Sequence, residues 1–545
     1  MEEAALTKTK PEIFDKAEVI IVTEDFYYIQ NGVIQSVIRK SKFMEEAWGY
    51  SPLILVSEYN IDLNRIKNML QYADYTEEQT SLNKNARVLS VYDYFQKSYS
   101  EGLEVIEYKR GDGSDGLAYL EVEKNVFEVR DKGGLIRREF YTGFKERLRQ
   151  VIRYENGKKS KTIFYDDAGY ISSIETYDPV NPDYHPLQCF YTPGRKLCLK
   201  AEYRYEPDKS KLTYITNIVR EDKNVLVKIS VYDETGRAVK ECANNAELAA
   251  YCLNQIIKDD GKIYIVIDES GIYTRAVAAV QKKNAARAAL VHSSFLQDER
   301  DLKSDPQIYY EHLCNERRLF DGIIFLTEGE RRDFIRKYED LNNTFSLPHP
   351  YPLPIVRRPF EERERKKAVI VSRFDIIKRL DLAIDIFKLV LDKLPEVTLE
   401  IYGFGQEGPH LFDKIKTLKL EERVIIKGYT SNPAAVFAGA ALSMLTSASE
   451  GFGITLVESI CNGCPVFAFD IKYGPSDVIE DGETGFLFPF GDTAAFADKL
   501  VEYFQDEDLQ RRMSENSYRA AARFSKEVFL DKWLSIIETV YRRAR

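Results

Sequence analysis

The sequence predicts an α/β protein of two similar parallel-sheet units, with an antiparallel, β-rich insertion in the first. Three observations carry this. The chain opens strand, helix, strand; a second strand-helix series follows a proline-rich, charged stretch; and a long intervening region changes to alternating segments broken by hairpin turns.

Taken in order, "AEVIIVTEDF" (17–26) is a short apolar run suited to a buried strand, and "NGVIQSVIRKSKFMEEAWG" has helical spacing, with Gly32 at the turn between them. "SPLILVSEY" (51–59) is a second strand. From about 85 to 240 the segments are rich in Tyr, Thr, Val and Ile and are punctuated by "GDGSDG", "DKGG", "ENGKK" and "DDAG", which are hairpin signals. "FYDDAGYISSIETYD" and "VYDETGRAVKECAN" form a weak internal repeat. The α/β pattern resumes with "ELAAYCLNQIIKDDG", "KIYIVIDES", "AARAALVHSSF" and "FDGIIFLTEGERRDFIRKY". The stretch 345–367, "FSLPHPYPLPIVRRPFEERERKK", reads as the linker. Beyond it a second series runs from "AVIVSRF" to "GFLF", and a last amphipathic helical stretch, about 506–545, is suited to pack back across both units.

Composition narrows the function. A chain of 545 residues exceeds one core. Its start lacks a signal-type apolar run and no later stretch approaches the ~18–20 apolar residues of a membrane span, so a cytoplasmic protein is expected. Seven scattered cysteines do not form a secreted disulfide framework. Cys461 and Cys464 form a lone Cys-x-x-Cys, suited to redox chemistry or half a zinc site, but the surrounding "SICNGCPVF" favours core packing. A net charge of −10 and a pI near 5.4 argue against nucleic-acid binding. No metal-ligand cluster of convincing spacing appears.

The motif that asks for chemistry is "SEGFGITLVE", with Glu450 and Glu458 around a Gly-Phe-Gly turn. Glycines let a ligand approach the backbone, and the N–H groups of a helix starting near Phe452 favour phosphate. If the segment were wholly helical, eight positions would span ~12 Å with both side chains within ~80° of one face, a reach suited to two ends of an elongated ligand. The alternative is two solvated surface glutamates. "VSRFDIIKRLD" places Arg373 and Lys378 after a strand, where open parallel sheets meet ligands, and two cations there suit a diphosphate. "GFGQEG" (403–408) matches the dinucleotide fingerprint, but in the second strand-helix step of its unit, where the fingerprint does not belong. His292 and Asp268 both end apolar strands, where a satisfied core or rim residue is the commoner case and a site residue the alternative.

Together these motifs, the "NGV" glycine turn and the paired units resemble retaining glycosyltransferases of the two-Rossmann-domain (GT-B) type with a Glu-x7-Glu motif. "FDIKYGPSDVIEDGETGFL" and the insertion narrow the resemblance to poly(glycerol-phosphate) or poly(ribitol-phosphate) α-glycosyltransferases of wall teichoic acid. The resemblance implies a UDP-sugar donor, glucose or N-acetylglucosamine, and a polyol-phosphate acceptor. It implies that Glu450 binds the donor sugar's hydroxyls, Glu458 the ribose, and Arg373 with Lys378 the diphosphate. It further implies that Gly451, Phe452 and Gly453 pass under the phosphates, Gly32 faces the donor, His292 lies near the reacting centre, and "VIIKGYTSN" with Tyr429 walls the base. No cofactor and no bound metal are implied, and transfer is front-face with retention.

The resemblance also organises the domains: 1–84, first part of an N-terminal Rossmann-like domain; 85–240, the insertion; 241–360, the second part and linker; 361–525, a C-terminal nucleotide-sugar domain; and 526–545, a helix packing back on the N-terminal domain. Between 137 and 161 nine Lys/Arg face three Glu. Arg137, Arg138, Lys145, Arg147 and Arg149 are candidates to track a polyol-phosphate chain; a solvated face, or an assembly surface for the family's homo-oligomers, often trimers, is the alternative. Peripheral association with the membrane is compatible with such an acceptor. Rival readings are a transferase of N-acetylglucosamine to serine-rich adhesins, and a non-catalytic glycan-binding or partner subunit. A glycosidase is disfavoured because the two glutamates are separated along a helix beside a phosphate-type site.

Overall fold

A computed structural model describes residues 9–25, 32–60, 82–83, 85–98, 116–142, 147–207, 211–212, 221–351 and 357–545, with Leu63, Ile66, Lys67 and Leu70 between. The chain forms two compact units, Met1–Ala285 and Ala286–Arg545.

In the first unit the strand Ala17–Thr23 runs parallel to Ile263–Asp268 on one side and to Leu53–Val56 on the other. Its apolar run is buried almost throughout, as a strand covered on both faces requires. The helix Gly32–Trp48 starts at Gly32 itself and is fastened to the carboxyl end of Ile263–Asp268: Ser36 Oγ donates to Glu269 Oε1 at 2.8 Å, and Lys40 pairs with the same carboxylate. Arg87–Ser90 pairs parallel with Leu53–Val56. The change of texture expected at 85 therefore comes too early, because a four-residue strand is too short to show periodicity.

The antiparallel insertion is a ten-stranded sheet that follows the chain in order from Ala118–Glu123 at one edge to Ala238–Cys242 at the other. Its hairpins fall where the turn chemistry demands: in "ENGKK", Asn156 and Gly157 have φ of 52° and 74°, the left-handed pair of a type I′ turn. Its interior is thin, with Leu148, Val151, Ile163 and Tyr165 as one small buried cluster. It is joined to the parallel part by side chains. Gln96 Nε2 donates to the carbonyls of Ser172 and Tyr191, and Tyr59, Tyr92 and Phe190 pack ring against ring.

The second unit contains the parallel strands Ala285–Val291, Gly322–Phe325 and Thr344–Ser346. It also contains a six-stranded parallel sheet, in spatial order Val424–Gly428, Thr398–Tyr402, Glu364–Val371, Ala440–Leu445, Val466–Phe469, Gly485–Phe488. By chain order this is 3-2-1-4-5-6, the doubly wound pattern, whose switch point lies between Glu364–Val371 and Ala440–Leu445. The linker is shorter than 345–367, since Phe345 and Ser346 finish one strand and Glu364–Lys367 begin another. Charged residues on that strand's solvated first half hid its start. The last helix, Lys526–Arg543, packs Val540 onto Gly322, where a Cβ would lie 2.7 Å from Val540 Cγ2. All seven cysteines are free, and Cys461 and Cys464 are buried at a helix end and strand start. Among the described residues no helix is long and apolar enough to cross a membrane.

Candidate active site

At the switch point the strand Glu364–Val371 leads into Ser372, Arg373 and Phe374. The "GFGQEG" glycines hold that segment. A Cβ on Gly403 would lie 1.8 Å from the Ser372 carbonyl oxygen and one on Gly405 2.4 Å from that of Phe374. Both glycines have positive φ, 140° and 154°. The Phe374 N–H donates to Phe404 O at 2.8 Å and the Glu407 N–H to Phe374 O at 3.1 Å. The fingerprint thus serves close packing of two backbones. The Arg373 side chain is 62% exposed, with Asp375 at 3.8 Å.

Asp375 caps the short turn Ile376–Lys378 by accepting from the Ile377 N–H at 3.1 Å. That turn is stitched to the loop after Ala440–Leu445: the Ala448 N–H donates to Ile377 O at 2.8 Å, and Thr446 Oγ1 to Lys378 O at 3.2 Å. Lys378 Nζ thereby reaches Glu450 Oε1 at 2.7 Å, and Ser447 Oγ donates to the same oxygen at 2.6 Å. One carboxylate oxygen is held by two donors, and among the described residues no hydrogen bond engages Oε2. An ammonium has three donors, so Lys378 can bind Glu450 and a phosphate together.

Gly451 brings this turn onto the end of the strand Ala285–Val291. A Cβ there would lie 1.9 Å from the His292 carbonyl oxygen, so only glycine fits. His292, His349 and Phe452 form a column, with ring centroids 5.6 Å apart at each step. The His292 N–H donates to Tyr310 Oη at 3.0 Å. Ser449 Oγ donates to Glu299 Oε2 at 2.6 Å; burial pushes the Glu299 carboxyl above its ordinary range, and the charge of Glu450 adds to this.

Gly453, at φ 78°, opens the helix Ile454–Cys461. Only that part of the Glu-x7-Glu stretch is helical, so the single-face geometry expected for a continuous helix does not apply: Glu450 lies in the turn and Glu458 on the helix. Tyr429, 71% exposed, follows the strand Val424–Gly428 and meets Phe404 edge-on at 6.0 Å. Gly32 belongs to the first unit, where it opens its helix. Lys145 lies outside the described residues.

Arg373, Lys378, Glu450, Gly451, Phe452, Gly453 and His292 are thus gathered on one set of connected loops, with Glu458 on the adjoining helix. Sequence reasoning missed Ser447, Glu299, Phe404 and His349. Phe404 was signalled by its place inside "GFGQEG", and His349 was hidden in the proline-rich stretch. Nothing local marks Glu299, whose partner is distant in sequence. Among the described residues no group of three or more His, Cys, Asp and Glu is placed to hold a metal ion.

Residues 355–520 match the family described as Glycosyl transferases group 1. The chain is 25% identical over 529 residues to the poly(ribitol-phosphate) α-N-acetylglucosaminyltransferase of Staphylococcus aureus (strain COL), covering 96% of this chain and 100% of the relative. It is 25% identical over 524 residues to the poly(glycerol-phosphate) α-glucosyltransferase of Bacillus subtilis (strain 168), covering 93% and 74%. A crystal structure of a S. aureus TarM variant in complex with fondaparinux, α-GlcNAc-glycerol and UDP superposes with a TM-score of 0.75 at 22% identity, over 96% of this chain and 99% of that one. The doubly wound sheet, the loops at its switch point and these matches agree: residues 355–520 match the glycosyl transferases of group 1, and the chain has the GT-B fold with an antiparallel insertion.

Proposed function

We propose that the protein is a retaining glycosyltransferase that moves glucose or N-acetylglucosamine from a UDP-sugar to hydroxyls of a polyol-phosphate polymer. The observation that carries this reading is the Glu450–Lys378 pair at the switch point, with one glutamate oxygen engaged and the other open. The open oxygen accepts from donor-sugar hydroxyls. Lys378, the exposed Arg373 and the N–H groups at Gly453–Ile454 take up the diphosphate, whose negative charge grows as the bond to the sugar breaks. Glu458 holds the ribose, and Tyr429 with Phe404 the base.

In the reaction the bond from the anomeric carbon to the β-phosphate oxygen breaks, and the acceptor oxygen bonds to the same face. The acceptor proton passes to an oxygen of the departing diphosphate. No bound metal enters this scheme, since the cations neutralise the leaving group.

The acceptor runs along the insertion. Cross-strand pairing sets Arg137 opposite Arg153 and Arg153 opposite Lys161. Like charges directly opposed destabilise a sheet, and a phosphate chain relieves that repulsion. Among the described residues Arg153 and Lys161 have no ion-pair partner. By contrast, Arg138 is bound to Glu128 at 2.6 Å and Arg147 to the Asp167 carbonyl. The donor's supply places the reaction in the cytoplasm, beside the membrane where the polymer is built. Exposed Leu120 and Val122 on the edge strand Ala118–Glu123 suit assembly of a homo-oligomer, as a trimer.

The test is the anomeric configuration of the product. Polyol phosphate incubated with the protein, a UDP-sugar and a chelator should acquire an α-linked sugar by NMR; a β-linkage, or transfer only with added metal, overturns the scheme.

A further inference from the structure

Residues 472–477, "KYGPSD", connect two strands of the six-stranded sheet yet are bound to a helix outside it, Glu328–Tyr338, which follows the strand Gly322–Phe325. Asp477 accepts from the Glu328 N–H at 3.2 Å, completing the cap that Thr327 begins by accepting from the Glu330 N–H at 3.1 Å. Tyr473, fully buried, donates its hydroxyl to Asp333 Oδ2 at 3.1 Å, and Lys472 Nζ lies 2.8 Å from the same oxygen. Arg336 holds the other Asp333 oxygen at 3.1 Å. Five side chains, Lys472, Tyr473 and Asp477 of one short loop and Asp333 and Arg336 of one helix, are therefore committed to a single contact.

Between Tyr473 and Asp477 the chain passes through Gly474 at φ 98°, a left-handed conformation that favours glycine. Its position explains the cost. A Cβ there would lie 2.6 Å from the Phe452 carbonyl oxygen and 3.5 Å from Glu450 Cβ. Asp477 also accepts from the Gly474 N–H at 3.4 Å, which ties the glycine to the residue that caps the helix.

On the other flank Gly451 rests on His292, and Ser449 is bound to Glu299. The Glu450 turn is thus wedged between the strand end at His292 and the loop at Gly474.

We propose that residues 472–477 are a brace for Glu450, with Asp477 and Tyr473 as positioning residues that act through Gly474. This rests on the role assigned to Glu450 above. Asp477 and Tyr473 touch neither donor nor acceptor; they fix where the Glu450 carboxylate stands. Displacement of a catalytic group by about 1 Å costs on the order of 100-fold in rate, so loosening the brace lowers turnover more than donor binding.

The experiment compares Asp477→Ala, Asp477→Asn and Tyr473→Phe in the full chain. It measures kcat, donor KM, calorimetric UDP affinity and Tm. Turnover is scored both as transfer to polyol phosphate and as hydrolysis of the UDP-sugar without acceptor. Asp477→Ala should lose about 10-fold or more in kcat on both scores, with donor KM and UDP affinity within about twofold. Asp477→Asn, whose one amide oxygen still accepts from the Glu328 N–H but whose NH2 no longer accepts from the Gly474 N–H, should recover part of the loss. If Asp477→Ala does not fold, Tyr473→Phe decides, since it removes one hydroxyl and leaves the ring. Unchanged kcat in the folded variants, or equal loss in Asp477→Ala and Asp477→Asn, overturns the brace. A wild-type chain that hydrolyses donor but ignores polyol phosphate counts against the acceptor reading instead.

Discussion

Lys378 Nζ stands 2.7 Å from Glu450 Oε1, and the two residues come from loops on either side of the switch point of one doubly wound sheet. The pairing joins the half of the site suited to phosphate with the half suited to sugar. Glu450→Gln keeps the shape but weakens the hold on Lys378 and on sugar hydroxyls. Turnover should fall about 100-fold or more while Tm changes little, as judged by UDP release and thermal unfolding. Unchanged turnover contradicts the assignment.

Gly451→Ala tests the contact between the turn and His292. An added methyl would lie 1.9 Å from a backbone carbonyl oxygen, so one segment must move. The variant should lose about 1–3 kcal/mol of stability and most of its turnover, measured by denaturant unfolding and UDP release. Gly482→Ala is the control. It carries the strain of φ 78° but meets nothing within 4 Å, so it should lose stability with turnover retained at permissive temperature.

Arg153→Glu and Lys161→Glu test the acceptor track. Each should raise the acceptor KM and flatten its dependence on salt, because each removes a phosphate contact and its released counterion. Donor KM should not change. Arg138→Ala, already committed to Glu128, should leave the salt slope alone. Equal salt slopes in all three variants would assign the track elsewhere.

Stability should fall as pH rises from about 4 to about 7. Burial, joined by the carboxylates of Glu58, Asp25 and Asp268, pushes Glu24 from 4.5 up to about 7, and burial carries Asp268 from 3.8 to about 7. A carboxyl whose folded pKa is raised gives its full stability below the unfolded pKa and loses it as pH climbs through the folded one. Glu24→Gln removes one of these groups, so the difference in Tm between about pH 5 and about pH 8 should shrink. The same difference in variant and wild type would show that Glu24 does not titrate in that window.

Periodicity in the sequence exposed whatever is long and regular: the opening strand, the hairpins of the insertion and the second α/β series. It missed Arg87–Ser90, four residues with no room for a pattern, and the start of Glu364–Val371, where solvated charges mimic a linker. Arg373, Lys378 and Glu450 were legible because they follow apolar strands in short motifs. Glu299 and the Tyr473–Asp333 contact were not, since each joins segments distant in the chain through side chains that look ordinary locally. The glycines of "GFGQEG" illustrate the opposite limit. Their spacing matches a ligand fingerprint, while what they approach is the backbone at Ser372 and Phe374.

The most direct test is UDP release from a panel of UDP-sugars in the presence of chelator. It is run with and without poly(glycerol phosphate), poly(ribitol phosphate) or a serine-rich peptide, using the wild-type chain and Glu450→Gln. The account predicts release from one UDP-sugar, stimulated by one polyol phosphate and lost in Glu450→Gln. Stimulation by the peptide alone, or silence in every mixture, would contradict it.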